Sequence, residues 1–562
     1  MQSAIEARAV GQRARSGQDT LRDVSLAIGH GELVGIIGSS GSGKTTLLDI
    51  LSGLRAPSAG TVIRASGNVG YVPQDDIIHL ALPLERTLRY AAALREVPPA
   101  AVGSVLSTLE LTDRSLIPVG DLSGGERKRA SIAVELLAAP TLFFLDEPTS
   151  GLDPARGAEL MGTLRALAGN GTTVVLTTHN PLDAARCDTI VVLTGDGCLA
   201  FCGTPDAALG YFGVNTLEEV YERLRERRDE KPWRWGDGHI RSGEKGLGRA
   251  EPAAGAAPER ATRGAATGAL RPLRQWLLLT RRNAAILTRA RLTLAILVGA
   301  PVMVLLMFVV LFRPGAFDPA HPSPETTVMI VFWLAFGGFF FGLTYGLLQI
   351  CAEFGVLRRE RFAGLSAAAY VLSKVAVLLP LLAVVDAAFL VVLRVLGRLP
   401  EAGDYGATFV TLLLSSAAAL ALGLLISAAV SEPSQATIAL PMVSFPQVLF
   451  VGAILPVPVM AAVGRWISYL MTNRWTFEGL GHSLGVARLW ATGASPLGPP
   501  LLASYGTTFA RPAGEDWLIL VAFTLAFLAA TVFAVIRKTG SAVKAGSAAK
   551  TGLAVQAGRQ AG

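Results

Sequence analysis

Six apolar stretches between residues 292 and 536 constrain the fold more than anything else in the chain. They run over 292–312, 326–350, 368–396, 406–430, 436–463 and 516–536. An α-helix rising 1.5 Å per residue needs about 20 residues to cross the roughly 30 Å hydrocarbon core of a bilayer. Every stretch is that long. Lipid offers no partner to backbone N–H and C=O groups, so such segments must bond within themselves as helices. Composition agrees: 51% of the chain is hydrophobic and 17% charged, against roughly 25% charged in soluble domains. A disordered chain, a disulfide scaffold and an ordinary soluble enzyme are excluded.

Charge orients these helices. The loop 353–366 carries Arg358, Arg359 and Arg361, and the stretch after 536 carries Arg537, Lys538, Lys544, Lys550 and Arg559. Loops 313–325 and 397–405 carry one arginine each. The positive-inside rule puts both termini in the cytoplasm of a multi-pass cell-membrane protein. The net charge of +7 is then largely membrane topology, and no nucleic-acid partner is expected. Residues 1–23 are interrupted by charge, which argues against a signal peptide there. The four cysteines (Cys187, Cys198, Cys202 and Cys351) lack metal-site spacing and read as free thiols.

The N-terminal part, 1–231, has a different texture. Apolar runs Leu33–Ile37, Thr141–Leu145 and Thr172–Leu176 are each followed by a loop and a helical pattern. That alternation predicts an α/β domain with a largely parallel sheet. A charged run, 217–231, reads as a solvated helix. Residues 232–268, rich in Gly, Ala, Pro and Arg, read as a flexible linker. Residues 269–290 interleave arginines with Leu and Trp, predicting an amphipathic connecting helix on an anionic membrane face. The membrane domain follows over 291–537, with a cytoplasmic tail at 538–562.

Three motifs in the α/β part carry chemistry. Gly38-Ser39-Ser40-Gly41-Ser42-Gly43-Lys44-Thr45 follows a strand and opens a helix, the context of a phosphate-binding P-loop. Its backbone N–H groups, with Lys44 and the helix dipole, suit phosphate oxygens, and the Thr45 hydroxyl suits Mg2+. Leu142–Leu145 is an apolar strand ending in Asp146 and Glu147. It can deliver Asp146 to the metal and Glu147 to the attacking water. Leu122-Ser123-Gly124-Gly125-Glu126 contains a capping box, predicting a helix from Gly124 and a second anion-binding helix end.

Together these motifs resemble the ATP-binding cassette (ABC) ATPases. Gln74 resembles that family's glutamine loop, Ser150-Gly151-Leu152-Asp153 its aspartate loop, and His179 its switch histidine. Gly124–Arg129, Ser131–Leu136 and the order of ATPase domain before membrane domain are similar to the G subfamily, of the White/Brown type. So are Arg359-Glu360-Arg361 with Gly364, Leu365, Ser366, Tyr370 and Lys374, and Asn473–Leu480 before the last span. The family often places an aromatic for adenine near what is here Arg15, yet residues 1–30 contain no Phe, Tyr or Trp; a guanidinium can stack in its place.

The resemblance implies an α/β P-loop ATPase domain followed by an all-α six-helix membrane domain. It implies ATP and Mg2+ as cofactors, with Gly38 to Thr46 (Gly38, Ser39, Ser40, Gly41, Ser42, Gly43, Lys44, Thr45, Thr46), Ser123, Gly124, Gly125 and Asp153 on the nucleotide. Thr45, Gln74 and Asp146 would hold the metal, and Glu147, His179 and Gln74 would serve hydrolysis. One P-loop and six spans imply a half-transporter that pairs with a second copy of itself or a sister half-transporter. The loop 353–366 and the helix 269–290 would couple it to the membrane part. The expected activity is ATP-driven export of a lipid-like or amphipathic compound; a non-transporting membrane ATPase is the alternative. Within the spans, Asp386, Arg394, Phe445 and Gln447 are candidate pocket residues.

Overall fold

The computed structural model describes residues 3–14, 17–226 and 271–559. Arg15, the linker 232–268 and the end of the 217–231 run lie outside them. The chain forms two compact units, the second spanning Thr267–Lys538.

In the first unit the apolar runs become strands at the expected places. β3 (Leu33–Gly38), β6 (Leu142–Asp146) and β7 (Thr173–Thr177) are buried along their whole length. Burial on both faces is why these sequences read as continuous hydrophobic runs rather than alternating ones. With β5 (Val69–Val72), β8 (Thr189–Leu193) and β9 (Leu199–Gly203) they form a six-stranded sheet ordered β5-β6-β7-β3-β8-β9. All neighbours are parallel except the β8–β9 edge pair. A separate antiparallel sheet joins β1 (Ile5–Arg13), β2 (Asp19–Ile28) and β4 (Ala59–Arg64) in the order β2-β1-β4. The parallel register aligns the carboxyl ends of β3, β6 and β7: Asp146 pairs with Thr177, and Ile36 also pairs with Thr177. Ligands of open α/β sheets bind at such carboxyl ends.

The second unit is helical. Five helices among the described residues are long and apolar enough to cross a membrane: Thr293–Leu311, Pro324–Phe362, Ala367–Val395, Tyr405–Ala429 and Ala513–Thr539. They match five of the six expected spans. The stretch 436–463 differs. A 17-residue helix, Pro433–Leu449, ends before Gly452 and gives way to a single 3-10 turn at Val457–Val459 and a short helix at Ala462–Tyr469. Gly452 sits at φ +101°, and Pro456 and Pro458 deny the backbone two N–H donors, so no continuous helix can form there. The last helix runs to Arg559 rather than ending with the membrane span.

Two of the spanning helices meet backbone to backbone. A Cβ on Gly342 would sit 2.4 Å from the Ser416 carbonyl oxygen, and one on Gly346 would sit 2.6 Å from that of Leu420. Glycines four apart let membrane helices approach closely, which replaces the absent hydrophobic drive between them. The stretch 464–515, between the last two apolar stretches, is not a simple loop. Within it the helix Thr472–Ser483 is buried along nearly its whole length, and Thr476 donates to Ser415 Oγ at 2.8 Å.

Candidate nucleotide site

The P-loop joins β3 to the helix α1 (Lys44–Ser52), and its shape depends on glycine. Gly43 sits at φ +90°, and a Cβ there would lie 2.8 Å from both the Thr20 carbonyl oxygen and Leu21 Cδ2. The N–H groups of the first turn of α1 have no intrahelical partner, so they face the loop's concavity. Lys44 Nζ folds back to the carbonyls of Gly38 and Ser39 at 3.0 Å each. Burial lowers the Lys44 pKa, opposed by the charges of Glu147 and Asp146.

β6 brings its acids to the same place. Asp146 Oδ1 accepts from Thr45 Oγ1 at 3.2 Å and from Thr177 Oγ1 at 2.5 Å. Burial raises the Asp146 pKa, and the two threonine hydroxyls counter it. Glu147 turns out of the strand at φ +45°, a left-handed conformation uncommon for a non-glycine residue. Its N–H donates to Thr177 Oγ1 at 2.9 Å, which holds that turn. The Glu147 carboxylate meets two side chains: Gln74 Nε2 donates to Oε2 at 3.3 Å, and His179 Nδ1 lies 3.3 Å from the same oxygen. Thus Lys44, Thr45, Gln74, Asp146, Glu147 and His179 converge from β3–α1, β5, β6 and β7.

The other expected residues do not join them in one chain. Ser123 caps the helix α4, which spans Gly124–Leu136 after α2 (Leu84–Leu94) and α3 (Ala100–Thr108). Its hydroxyl accepts from Glu126 N at 3.4 Å, while Glu126 Oε2 accepts from Ser123 N at 2.9 Å, the expected capping box. Asp153 caps the helix α5 (Pro154–Gly169), accepting from Arg156 N at 3.0 Å. Among the described residues no hydrogen bond joins Ser123, Gly124, Gly125 or Asp153 to the P-loop.

The donor set suits a divalent cation shared with phosphates. Thr45 and Asp146 offer adjacent oxygens, and no group of three or more His, Cys, Asp or Glu side chains stands ready to hold a metal among the described residues. Magnesium is commonly held in this way, by one or two protein oxygens plus substrate phosphates.

The candidate pocket residues of the second unit separate. Asp386 is buried and accepts from Ser416 Oγ at 2.9 Å, not from Arg394. Arg394 instead lines a cavity of about 680 Å3 with Asp318, Glu401 and Arg488. Gln447 is also buried, and its Oε1 accepts from Asn473 N at 2.9 Å, capping the start of the Thr472–Ser483 helix. Phe445 remains 64% exposed. Helix 271–287 is amphipathic in an unexpected sense. Its buried residues include Gln275, Arg282 and Asn283, while Leu273 and Leu277 are exposed. Arg282 pairs with Glu360 through both guanidinium nitrogens, Asn283 donates to Ser373 Oγ at 3.0 Å, and Gln275 accepts from Ser366 N at 3.0 Å. The sequence reading also missed the pair Arg474–Glu478, 2.9 Å apart and almost fully buried. Its i,i+4 spacing on a helix was the available signal.

A P-loop at the carboxyl edge of a parallel sheet, with an acidic strand end beside it, defines a nucleotide-binding ATPase domain fused to a membrane helical domain. Comparison with known proteins agrees. The ABC transporter family matches residues 21–150, and the ABC-2 type transporter family matches residues 274–484. The ABC transporter ATP-binding/permease protein Rv1747 of Mycobacterium tuberculosis is 30% identical over 503 residues, covering 84% of this chain and 57% of that protein. ABC transporter G family member 21 of Arabidopsis thaliana is 39% identical over 36% of this chain and 33% of its own. ATP-binding cassette sub-family G member 5 of Mus musculus is 38% identical over 34% of this chain and 33% of its own. The chain thus spans between a third and about three fifths of the length of these relatives. It belongs to the ABC transporters, with the ATPase domain first and an ABC-2 type membrane domain second, the arrangement of the G family.

Proposed function

We propose that the chain is a half-transporter that pairs with a second copy, or a sister subunit, and uses ATP to export a lipid-like or amphipathic compound across the cell membrane, with both termini cytoplasmic. The observation that carries this reading is the convergence of Thr45, Asp146, Gln74, Glu147 and His179 on one point while Ser123 and Asp153 stay on separate helix caps. One chain supplies the phosphate-binding and hydrolytic side, and a helix end of the kind that binds anions is left for another nucleotide. In this reading Gly38 to Thr46 bind the phosphates, and Ser123, Gly124, Gly125 and Asp153 face the nucleotide of the partner subunit.

Glu147 holds the attacking water and takes its proton, Gln74 orients Glu147, and His179 stabilises charge gathering on the γ-phosphate. Thr45, Gln74 and Asp146 would hold Mg2+, which when bound neutralises charge on the β- and γ-phosphates. Closing of the paired ATPase domains on nucleotide would drive the membrane helices through the cytoplasmic segments 269–290 and 353–366. The substrate class rests on analogy with the G family.

ATP hydrolysis in lipid nanodiscs tests the reading, wild type against Glu147→Gln, with a panel of lipids and amphipathic compounds. Activity lost in the variant and stimulated by one compound class supports it. A monodisperse monomer hydrolysing at full rate removes the paired site, and indifference to every compound removes the proposed substrate class.

A further inference from the structure

One buried cation in the ATPase unit has no part in the chemistry above. Lys128 lies on α4, less than two turns from the Ser123 cap, and is only 4% exposed. Its Nζ donates to the Gln74 carbonyl oxygen at 2.6 Å and to the Pro73 carbonyl oxygen at 3.3 Å. Neither acceptor is a carboxylate, so the buried ammonium is spent on the shape of one backbone segment. Burying an ammonium is costly unless it is hydrogen-bonded and faces negative charge. The charge is present: burial lowers the Lys128 pKa, and the fields of Asp76, Asp146, Asp75 and Glu147 oppose the shift. The neighbouring Arg127 lies 3.6 Å from Asp76, a second tie between α4 and the same segment. On its other side the segment delivers the Gln74 amide to Glu147 at 3.3 Å.

Lys128 therefore stands between two parts of the machinery. One is the helix capped by Ser123, and the other is the loop that sets Gln74 against Glu147. We propose that Lys128 is a positioning residue that fastens the Gln74 loop to the Ser123 helix, so that movement of that helix decides whether Gln74 reaches Glu147. The inference rests on the paired-site reading. There Ser123 serves the partner's nucleotide and Gln74 its own, so Lys128 makes hydrolysis at one site depend on occupation of the other.

The test is steady-state ATP hydrolysis by the full chain in nanodiscs for wild type, Lys128→Met and Lys128→Arg. Misplacing a group by about 1 Å can cost about a hundred-fold in rate. The expected result for Lys128→Met is a fall in kcat of about ten- to a hundred-fold with KM for ATP within about three-fold of wild type. The dependence of rate on ATP should lose any sigmoidal character of the wild type, and Lys128→Arg should recover part of kcat. Nucleotide-binding stoichiometry is measured on each preparation, so misfolded protein is recognised. If Lys128→Met does not fold, Lys128→Gln replaces it and the same split is read. Unchanged kcat, or a loss falling on KM and kcat together with full binding stoichiometry, overturns the inference. The underlying reading fails separately, through full turnover by Glu147→Gln or by a monomer.

Discussion

The nucleotide site and the buried ion pairs of the membrane unit treat buried charge in opposite ways. In the ATPase unit Lys44 is buried against its own loop carbonyls, with Asp146 and Glu147 nearby but neither in an ion pair with it. Asp146 takes only threonine hydroxyls, and Glu147 meets the exposed side chains of Gln74 and His179. In the membrane unit buried charges close into three pairs, although Asp386 takes the Ser416 hydroxyl instead. Arg282 pairs with Glu360, Lys374 with Glu353 at 2.7 Å, and Arg474 with Glu478 at 2.9 Å. Charges held apart by neutral donors keep capacity for a ligand. Charges closed into pairs fix one packing arrangement, and removing either partner leaves the other stranded. Substitutions at the nucleotide site should thus act on rate, and those in the three membrane-unit pairs on folding.

The largest effect tests the first half of that contrast. Glu147→Gln keeps the shape of the side chain but removes its basicity. Phosphate release should fall by about 10²–10⁴-fold, the range for losing a positioned general base, while ATP binding and thermal stability stay near wild type. A variant that loses binding along with turnover would show that Glu147 is a structural group like those of the membrane unit.

Arg474→Leu tests the other half. It leaves Glu478, whose carboxylate is 2% exposed, with only the longer contact to Arg511 at 3.9 Å, and breaking such a buried pair costs about 3–5 kcal/mol. The guanidinium also lies 4.2 Å from the centre of the Tyr469 ring, and leucine cannot supply that cation–π attraction. The expected outcome is a protein that cannot be purified as a single species in detergent. The double variant Arg474→Leu, Glu478→Leu should recover much of the yield. Equal behaviour of single and double variants would mean that the two charges do not act as a pair.

The same contrast explains what could be read from sequence. The site in the ATPase unit is local: each motif is a few adjacent residues, and the strand–turn–helix context fixes where they point. Gly38–Thr45, the Ser123–Glu126 cap and Asp146-Glu147 were therefore legible, as were β3, β6, β7 and five of the spans. What escaped was set by distant partners. The stretch 269–290 reads as an amphipathic membrane-surface helix, but the sequence did not show that Arg282 is claimed by Glu360 and buried with Gln275, Leu279 and Asn283. Segment 436–463 is a different case: its own Gly452, Pro456 and Pro458, a local signal, follow a helix that ends at Leu449. Asp386 and Arg394 share a helix but find unrelated neighbours, a serine on another helix for one and an open cavity for the other.

Neighbouring residues of the 433–449 helix give a smaller test within the membrane unit. Gln447→Ala leaves the Asn473 N–H without its acceptor in a buried position, a loss of about 1–3 kcal/mol. Phe445→Ala removes an exposed ring and should leave the stability within about 0.5 kcal/mol of wild type. If either alters which compounds stimulate ATP hydrolysis without lowering stability, it should be Phe445. The opposite assignment would return Gln447 to the transport pathway and weaken the view that polar groups of this unit serve packing.

The smallest effect concerns the cap of α4, where packing and proposed chemistry share one residue. The Ser123 N–H, followed by its hydroxyl and Arg114, holds the Glu126 carboxyl below the usual carboxylate range, with partial burial opposing. Because the folded pKa is depressed, the stabilisation is fully present above the unfolded value of about 4.3. It fades as pH falls through the lower folded value. Glu126→Gln cannot ionise, so its deficit relative to wild type should be largest near neutral pH and shrink below about pH 4. Amide-exchange protection over residues 124–130 is the local readout, since it reports fraying of this helix end. Ser123→Ala should lower that protection by about 1 kcal/mol, the usual worth of such a cap. It should also reduce ATP turnover by more than that fraying accounts for, because the hydroxyl then has a second duty toward the partner's nucleotide. A pH-independent deficit in Glu126→Gln would show that the carboxyl charge plays no part in the cap. Turnover in Ser123→Ala that follows protection alone would leave Ser123 a structural cap and nothing more.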